Sequence, residues 1–307
     1  MLMVFPRRTE GRSGTRQRLG PFSVGVVHHC SNSFEYFVTI GLDLTVAKAK
    51  VARAREHLDL LNTELTATLR EKGAYSFRFS EVDPDSGWCS MFLSPSALPE
   101  PRFGILLGDF IHNLRSALDY IVTELVQASN ARLTMSHQFP IFVDEAGYIA
   151  AIGTPQAPKA SGPLGGVIYG RELIESLQPY KRRPEPRADQ LWCVYRFSNT
   201  DKHRYIATRI VVPLGPAVDI SYNGTLVEKV DIEEISDWSP DTEHEVARLR
   251  FDPPYARNLR AHGTMPVAVL FSTDPFGSGP DAVAAHVMAL SETCDYISTI
   301  LDLFELL

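Results

Sequence analysis

Two stretches of this 307-residue chain carry residue types that could do chemistry. The first, DFIHNLRSALD, runs from Asp109 to Asp119, and the second, NTDKHR, from Asn199 to Arg204. In a helix, residues three, four and seven apart share a face, so Asp109, His112, Ser116 and Asp119 form one polar stripe, flanked by Asn113 and Arg115. A histidine between carboxylates can move a proton, hold a ligand or belong to a structural network. The stripe crosses an otherwise apolar segment, where an ionisable group is destabilising unless paired. Partners are therefore expected on another helix, and a buried polar clasp orienting two helices is the reading these residues favour. Asp109 and His112 also offer two ligands from one face, but a metal site needs three or four. Asp201 and His203 could complete one only where the two segments meet. No cofactor is expected.

The second stretch follows the apolar helical run QLWCVYRFS. Asn199 there suits a left-handed helix cap, and Asp201 suits a side-chain turn onto the backbone. Lys202 and His203 then lead toward a strand. Residues 171–209 hold nine Lys or Arg against five Asp or Glu, so Arg196 and His203 stand in basic surroundings.

The pairing of HNLRSALD with NTDKHR resembles a family of uncharacterised bacterial proteins of about this length, over residues 100–205; that resemblance supplies no mechanism. A second resemblance rests on Arg196 and His203, which have six residues between them. This spacing is similar to the Arg-then-His motif of the HEPN superfamily, helical bundles that include metal-independent ribonucleases acting as homodimers. The resemblance implies that Arg196 stabilises phosphate charge and that His203 serves as acid or base, with RNA or a nucleotide as ligand. Phe197 follows the Arg, where that superfamily usually carries a polar residue, and the strand-like sequence after His203 places it at a helix exit rather than inside a helix.

The elements that must position these residues are legible from periodicity. Leu44, Val51, Leu58 and Leu65 recur every seven residues, with Ala47, Ala54 and Leu61 three positions on, predicting a helix over 42–72 with a narrow apolar seam. Residues 101–128 are apolar around most of a helix circumference, as a central helix would be. Shorter helices are predicted at 145–152, 172–178 and 188–198, and a last one at 281–305. AYSFRF and WCSMFLS flank a turn-rich EVDPDSG and read as a hairpin. Five β-rich runs follow residue 204, one pair separated by Asn223-Gly224, which suits a two-residue hairpin turn. The Gly- and Pro-rich 153–170 reads as a mobile loop without the Gly-Lys-Ser/Thr ending of a phosphate loop.

The expected architecture is α+β: an antiparallel bundle of about four helices over 38–203 and 280–307, with an antiparallel β-meander inserted at 204–279. Residues 1–37 are expected to be a disordered basic tail, because residues 6–20 hold five Arg and one Glu. The chain as a whole carries a net charge of −7, and residues 217–252 hold ten Asp or Glu against three Lys or Arg, which disfavours general nucleic-acid binding. Four scattered cysteines without a C-x-x-C pair fit a reducing cytoplasm, and no apolar run is long enough for a membrane span. The expected function is a non-catalytic binding or assembly protein, homodimeric through its long helices, with the HEPN-like ribonuclease or nucleotide-binding protein as the alternative.

Overall fold

The computed structural model describes residues 22–27, 35–72, 75–95, 101–203, 206–211, 219–231, 243–262, 268–274 and 282–307. Strands β1 (Phe22–Val27) and β2 (Glu35–Ile40) form an antiparallel pair ahead of helix α1 (Thr45–Lys72). Residues 1–37 are thus not a tail throughout. FSVGVV and EYFVTI are rich in β-branched and aromatic residues, a local preference that the arginines upstream obscured. Residues 1–21 lie outside the described residues.

Helix α1 buries Leu44, Ala47, Val51, Ala54, Leu58, Leu61 and Leu65, the seam its seven-residue spacing predicts. Asp43 accepts the Thr45 backbone N–H at 3.1 Å as the helix begins. The seam packs along α2 (Pro101–Ala128), whose Phe103, Leu107, Phe110, Ile111, Leu114, Leu118 and Ile121 are buried in turn. Full burial of side chains of this size stabilises by about 1.5–3 kcal/mol each, which makes α2 the axis of the core. α6 (Gln190–His203) and α7 (Val287–Glu305) both pack on α2, and α7 also packs on α1. Lys48 bridges Glu305 at 2.7 Å and Arg55 bridges Asp295 at 2.8 Å along the α1–α7 seam.

Between α2 and α6 run three short helices, α3 (Glu145–Ile152), α4 (Arg171–Ser176) and α5 (Pro179–Arg182). Asp144 caps α3 by accepting the Gly147 N–H at 2.7 Å, and Gly153 ends it at φ +86°, where a Cβ would collide with the backbone of 157–159. The 153–170 segment is held at several points. Leu164 and Val167 are buried, and Arg171 donates to the carbonyls of Ile152 (2.9 Å) and Leu164 (2.8 Å). His137 takes the Thr134 N–H on Nδ1, so its Nε2 carries the proton and donates to the Gly165 carbonyl at 2.8 Å.

The strands do not form one inserted meander. β3 (Tyr75–Phe79) and β4 (Trp88–Pro95), the hairpin expected before α2, join β7 (His244–His262) and β6 (Asp219–Asp231) in a four-stranded antiparallel sheet ordered β3-β4-β7-β6. β5 (Ala207–Val211), β8 (Ala268–Ser272) and β9 (Ala284–His286) form a second antiparallel sheet. Val269, Phe271 and Ala285 of that sheet join the helical core, whereas Cys89, Leu249 and Phe251 form a small core of the four-stranded sheet. Asn223-Gly224 is not a hairpin turn. It lies within β6, where the register shifts opposite β7 residues 252–257. Pro253 and Pro254 there cannot donate to a ladder, which favours a bulge. Residues 284–286 are strand rather than helix, because Ala285 pairs with Phe271 at the β8 edge. Among the described residues, no helix is long and apolar enough to cross a membrane.

Candidate functional site

The two chemistry-bearing segments lie on adjacent helices, and their polar residues divide into an internal clamp and an exposed group. Arg115, 8% exposed, forms the clamp with Asp119 one turn on, its Nη2 2.9 Å from Asp119 Oδ1 and its Nε donating to Oδ2 at 3.3 Å. The same guanidinium donates to the Phe139 carbonyl at 2.8 Å, while Asp119 accepts the Phe139 backbone N–H at 2.8 Å. Residue 139, at the end of the loop leaving α2, is thereby gripped on both its backbone groups. Burial pushes the Asp119 carboxyl above its ordinary range, against the opposing pull of Arg115 and the Phe139 N–H. Asn113, buried, donates to the Asp109 carbonyl at 2.8 Å and accepts from Lys50 Nζ at 3.3 Å, tying α2 to α1. Ser116 is half-buried beside them. The hydrogen-bond partners that α6 was expected to supply for Arg115 and Asp119 come instead from the 138–139 segment, while Lys202 of α6 adds its charge to those that oppose the rise of the Asp119 carboxyl.

The exposed group sits where α2 and α6 touch. Gly108 and Asp201 are in contact so close that a Cβ at position 108 would stand 2.7 Å from Asp201 Cγ. Four residues back, a Cβ on Gly104 would stand 3.4 Å from the Ile206 carbonyl. The glycine pair at 104 and 108 thus forms a shallow seat on α2 for the end of α6 and the residues after it. Around it Asp109, His112, Asp201 and Lys202 are all exposed. Burial against α2 raises the Asp201 carboxyl above its ordinary range, Asp109 adds to that by repulsion, and His112 and Lys202 oppose it. That balance shows Asp109, His112 and Lys202 within electrostatic reach of Asp201. Gly-x-x-x-Gly on α2 is the sequence signal for this seat.

α6 is longer than its sequence pattern predicts. Asn199 is inside it, not a cap, and the helix ends on His203. Ser198 and Thr200 are buried and Asn199 is half-buried, so tertiary contact sustains a helical turn that residue preference disfavours. Positions 196 and 203, seven apart, therefore share a face of one helix. The Arg196 guanidinium lies 5.8 Å from the Trp192 ring centroid, and its Nε is buried without a hydrogen-bond partner, as is Trp192 Nε1 one turn earlier. The His203 side chain lies outside the described residues. At its other end α6 is capped by Asp189, 1% exposed, which accepts the Leu191 N–H at 2.8 Å and pairs with Arg182 at 2.9 Å. Burial raises the Asp189 carboxyl, opposed by the Leu191 N–H and both arginines of α5 and its exit.

The arrangement can present charge and hydrogen bonds to a partner at the α2–α6 face. Among the described residues, no group of three or more His, Cys, Asp or Glu is placed to hold a metal ion. Burial pushes the Cys89 thiol up to about 11 and the Cys193 thiol up to about 12, so both stay protonated and poorly nucleophilic at neutral pH. No protein-family model, no curated protein and no solved structure matches the chain.

Proposed function

We propose that this protein acts by binding, as a non-catalytic binding or assembly protein. In this reading α1, α2, α6 and α7 make a four-helix bundle whose α2–α6 face meets a second copy of the chain. The supporting observation is the division within the polar stripe of α2. Arg115, Asn113 and Asp119 are engaged by the fold itself, whereas Asp109 and His112, with Asp201 and Lys202 beside them, remain at the surface on two helices seated through glycine. Carboxylates set beside cationic groups are self-complementary across a two-fold axis, since an acidic position on one copy can face a basic one on the other. Sedimentation velocity over about a hundredfold range of concentration tests this. Wild-type protein is expected to dimerise, and Asp109→Lys with Asp201→Lys to raise the dimer Kd at least tenfold without lowering Tm. A wild-type chain that stays monomeric throughout sinks the reading.

One observation favours the alternative. Because α6 is continuous through His203, positions 196 and 203 both lie within one helix, as the motif of the HEPN resemblance does, and Arg196 Nε has no hydrogen-bond partner among the described residues. A metal-independent ribonuclease or nucleotide-binding protein built on this pair would cut or bind RNA in EDTA and lose that property in His203→Ala. Equal behaviour of the two proteins removes the alternative.

A further inference from the structure

The loops beyond the C-terminal end of α2 turn apolar side chains into solvent. Asn130, at φ +50°, closes the helix as a left-handed residue, and the chain then reverses at Thr134–His137, where the His137 N–H donates to the Thr134 carbonyl at 3.2 Å. Met135 stands at the apex of that turn and is 105% exposed, as open as a side chain in an extended peptide. Leu133 on the same loop is 51% exposed, and Ile168 on the neighbouring loop is 68% exposed. The polar groups here bond within the fold. His137 Nδ1 accepts the Thr134 N–H at 2.9 Å, its Nε2 donates to the Gly165 carbonyl at 2.8 Å, and the Ser129 hydroxyl accepts the Ile168 N–H at 2.9 Å. Gly166 lies against Ala131, so closely that an added Cβ would stand 3.0 Å from the Ala131 Cβ. The segments 129–138 and 162–168 are therefore one stitched pair of loops, from which the three apolar side chains project.

Charge around this tip departs from that of the chain as a whole. The net charge of the chain is −7, yet residues 125–143 and 146–171 contain Arg132, Lys159 and Arg171 and no Asp or Glu. Arg171 is occupied by the carbonyls of Ile152 and Leu164. Lys159 is exposed and donates to the Ala150 carbonyl, and Arg132 is exposed with no carboxylate at ion-pair distance among the described residues. A single exposed leucine is ordinary on a protein surface. A fully exposed methionine held at a turn apex, in company with an exposed leucine, an exposed isoleucine and cations without acids, marks an interaction surface.

We infer that this tip docks on an anionic phospholipid surface, with Leu133, Met135 and Ile168 entering the boundary between headgroups and acyl chains and Arg132 and Lys159 lying among the lipid phosphates. Apolar side chains add binding through the area they bury, and cations beside them add attraction to an anionic leaflet. A lipid boundary has no fixed shape and takes up separate projecting side chains, whereas a protein groove would have to be moulded to them. Its negative charge also matches an acid-free end on an otherwise acidic chain. The inference is independent of the α2–α6 reading, because at 1.5 Å of rise per residue Gly108 and Ala128 stand about 30 Å apart along α2.

The test is co-sedimentation of the full-length protein at low salt with phosphatidylcholine vesicles containing roughly a third phosphatidylserine, against vesicles of phosphatidylcholine alone. Wild type is expected to partition onto the anionic vesicles about tenfold more strongly than onto the neutral ones. Leu133→Ser with Met135→Ser should weaken that partition by about tenfold or more, and Arg132→Glu should weaken it on anionic vesicles alone. If the double variant melts below wild type, Met135→Ser carries the comparison by itself, since that side chain makes no buried contact. Absence of wild-type binding to anionic vesicles, equal binding to both vesicle types, or unchanged binding by the folded serine variant each overturns the inference. Self-association in solution that the serine variant abolishes overturns it as well, by giving the tip to a second copy of the chain.

Discussion

Asp119→Ala should be among the most damaging single substitutions on α2, and its cost can be worked from the clamp. The change removes a carboxylate that accepts from Arg115 and from the Phe139 N–H, and leaves a guanidinium that is 8% exposed and whose Nη1 has no hydrogen-bond partner among the described residues. Stripping one member from a buried ion pair costs about 3–5 kcal/mol. The Asp119 side chain retains 36% exposure, so solvent screening lowers that range to about 2–4 kcal/mol. For a chain of this size that corresponds to a fall in Tm of roughly 3–6 °C. Calorimetric or circular-dichroism melts measure it. Adding Arg115→Met should restore at least half of the loss, because the stranded charge leaves with the arginine. The pH dependence has a definite sign. Burial raises the Asp119 carboxyl above its unfolded value, so the stability it contributes is fully present below the unfolded carboxylate range and declines as pH rises through the raised folded value. The gap between wild type and Asp119→Ala should therefore narrow as pH rises above the unfolded carboxylate range of about 4. A fall in stability below about 1 kcal/mol, no recovery with Arg115→Met, or a gap that widens with pH would each refute this account of the clamp.

The glycine seat and the cysteines give two further tests. Gly108→Ala should be close to neutral alone, since a helix-propensity gain of about 1 kcal/mol is offset by displacing the Asp201 carboxylate, whereas Gly108→Ala with Asp201→Ala should be stabilised by about that amount. Additive effects in denaturant titrations would mean that the two residues do not touch. Cys89, Cys193 and Cys294, all with thiols raised by burial, should resist alkylation in the native protein near pH 8 and react once it is unfolded. Rapid native labelling of any of them, read by peptide mass mapping, contradicts the core packing.

Local patterns in the sequence were enough for the helices whose cause is local. The seven-residue seam of α1, the apolar circumference of α2 and the boundaries of α3 at Asp144 and Gly153 all follow from spacing and capping within a few residues. They also identified α2 and α6 as the carriers of polar groups in apolar surroundings. Only the tertiary structure decided what those groups do. Arg115 and Asp119 found the backbone of residue 139, and Asp201 came to rest on Gly108, 93 positions away in the chain. The β3–β4 hairpin acquired β7 as a neighbour, and 284–286 became a strand because β8 offered an unpaired edge. Each of these outcomes depends on hydrogen-bond donors and acceptors brought together from distant parts of the chain. The periodicity of a segment reports which side it buries, but not which remote backbone will meet its polar atoms there.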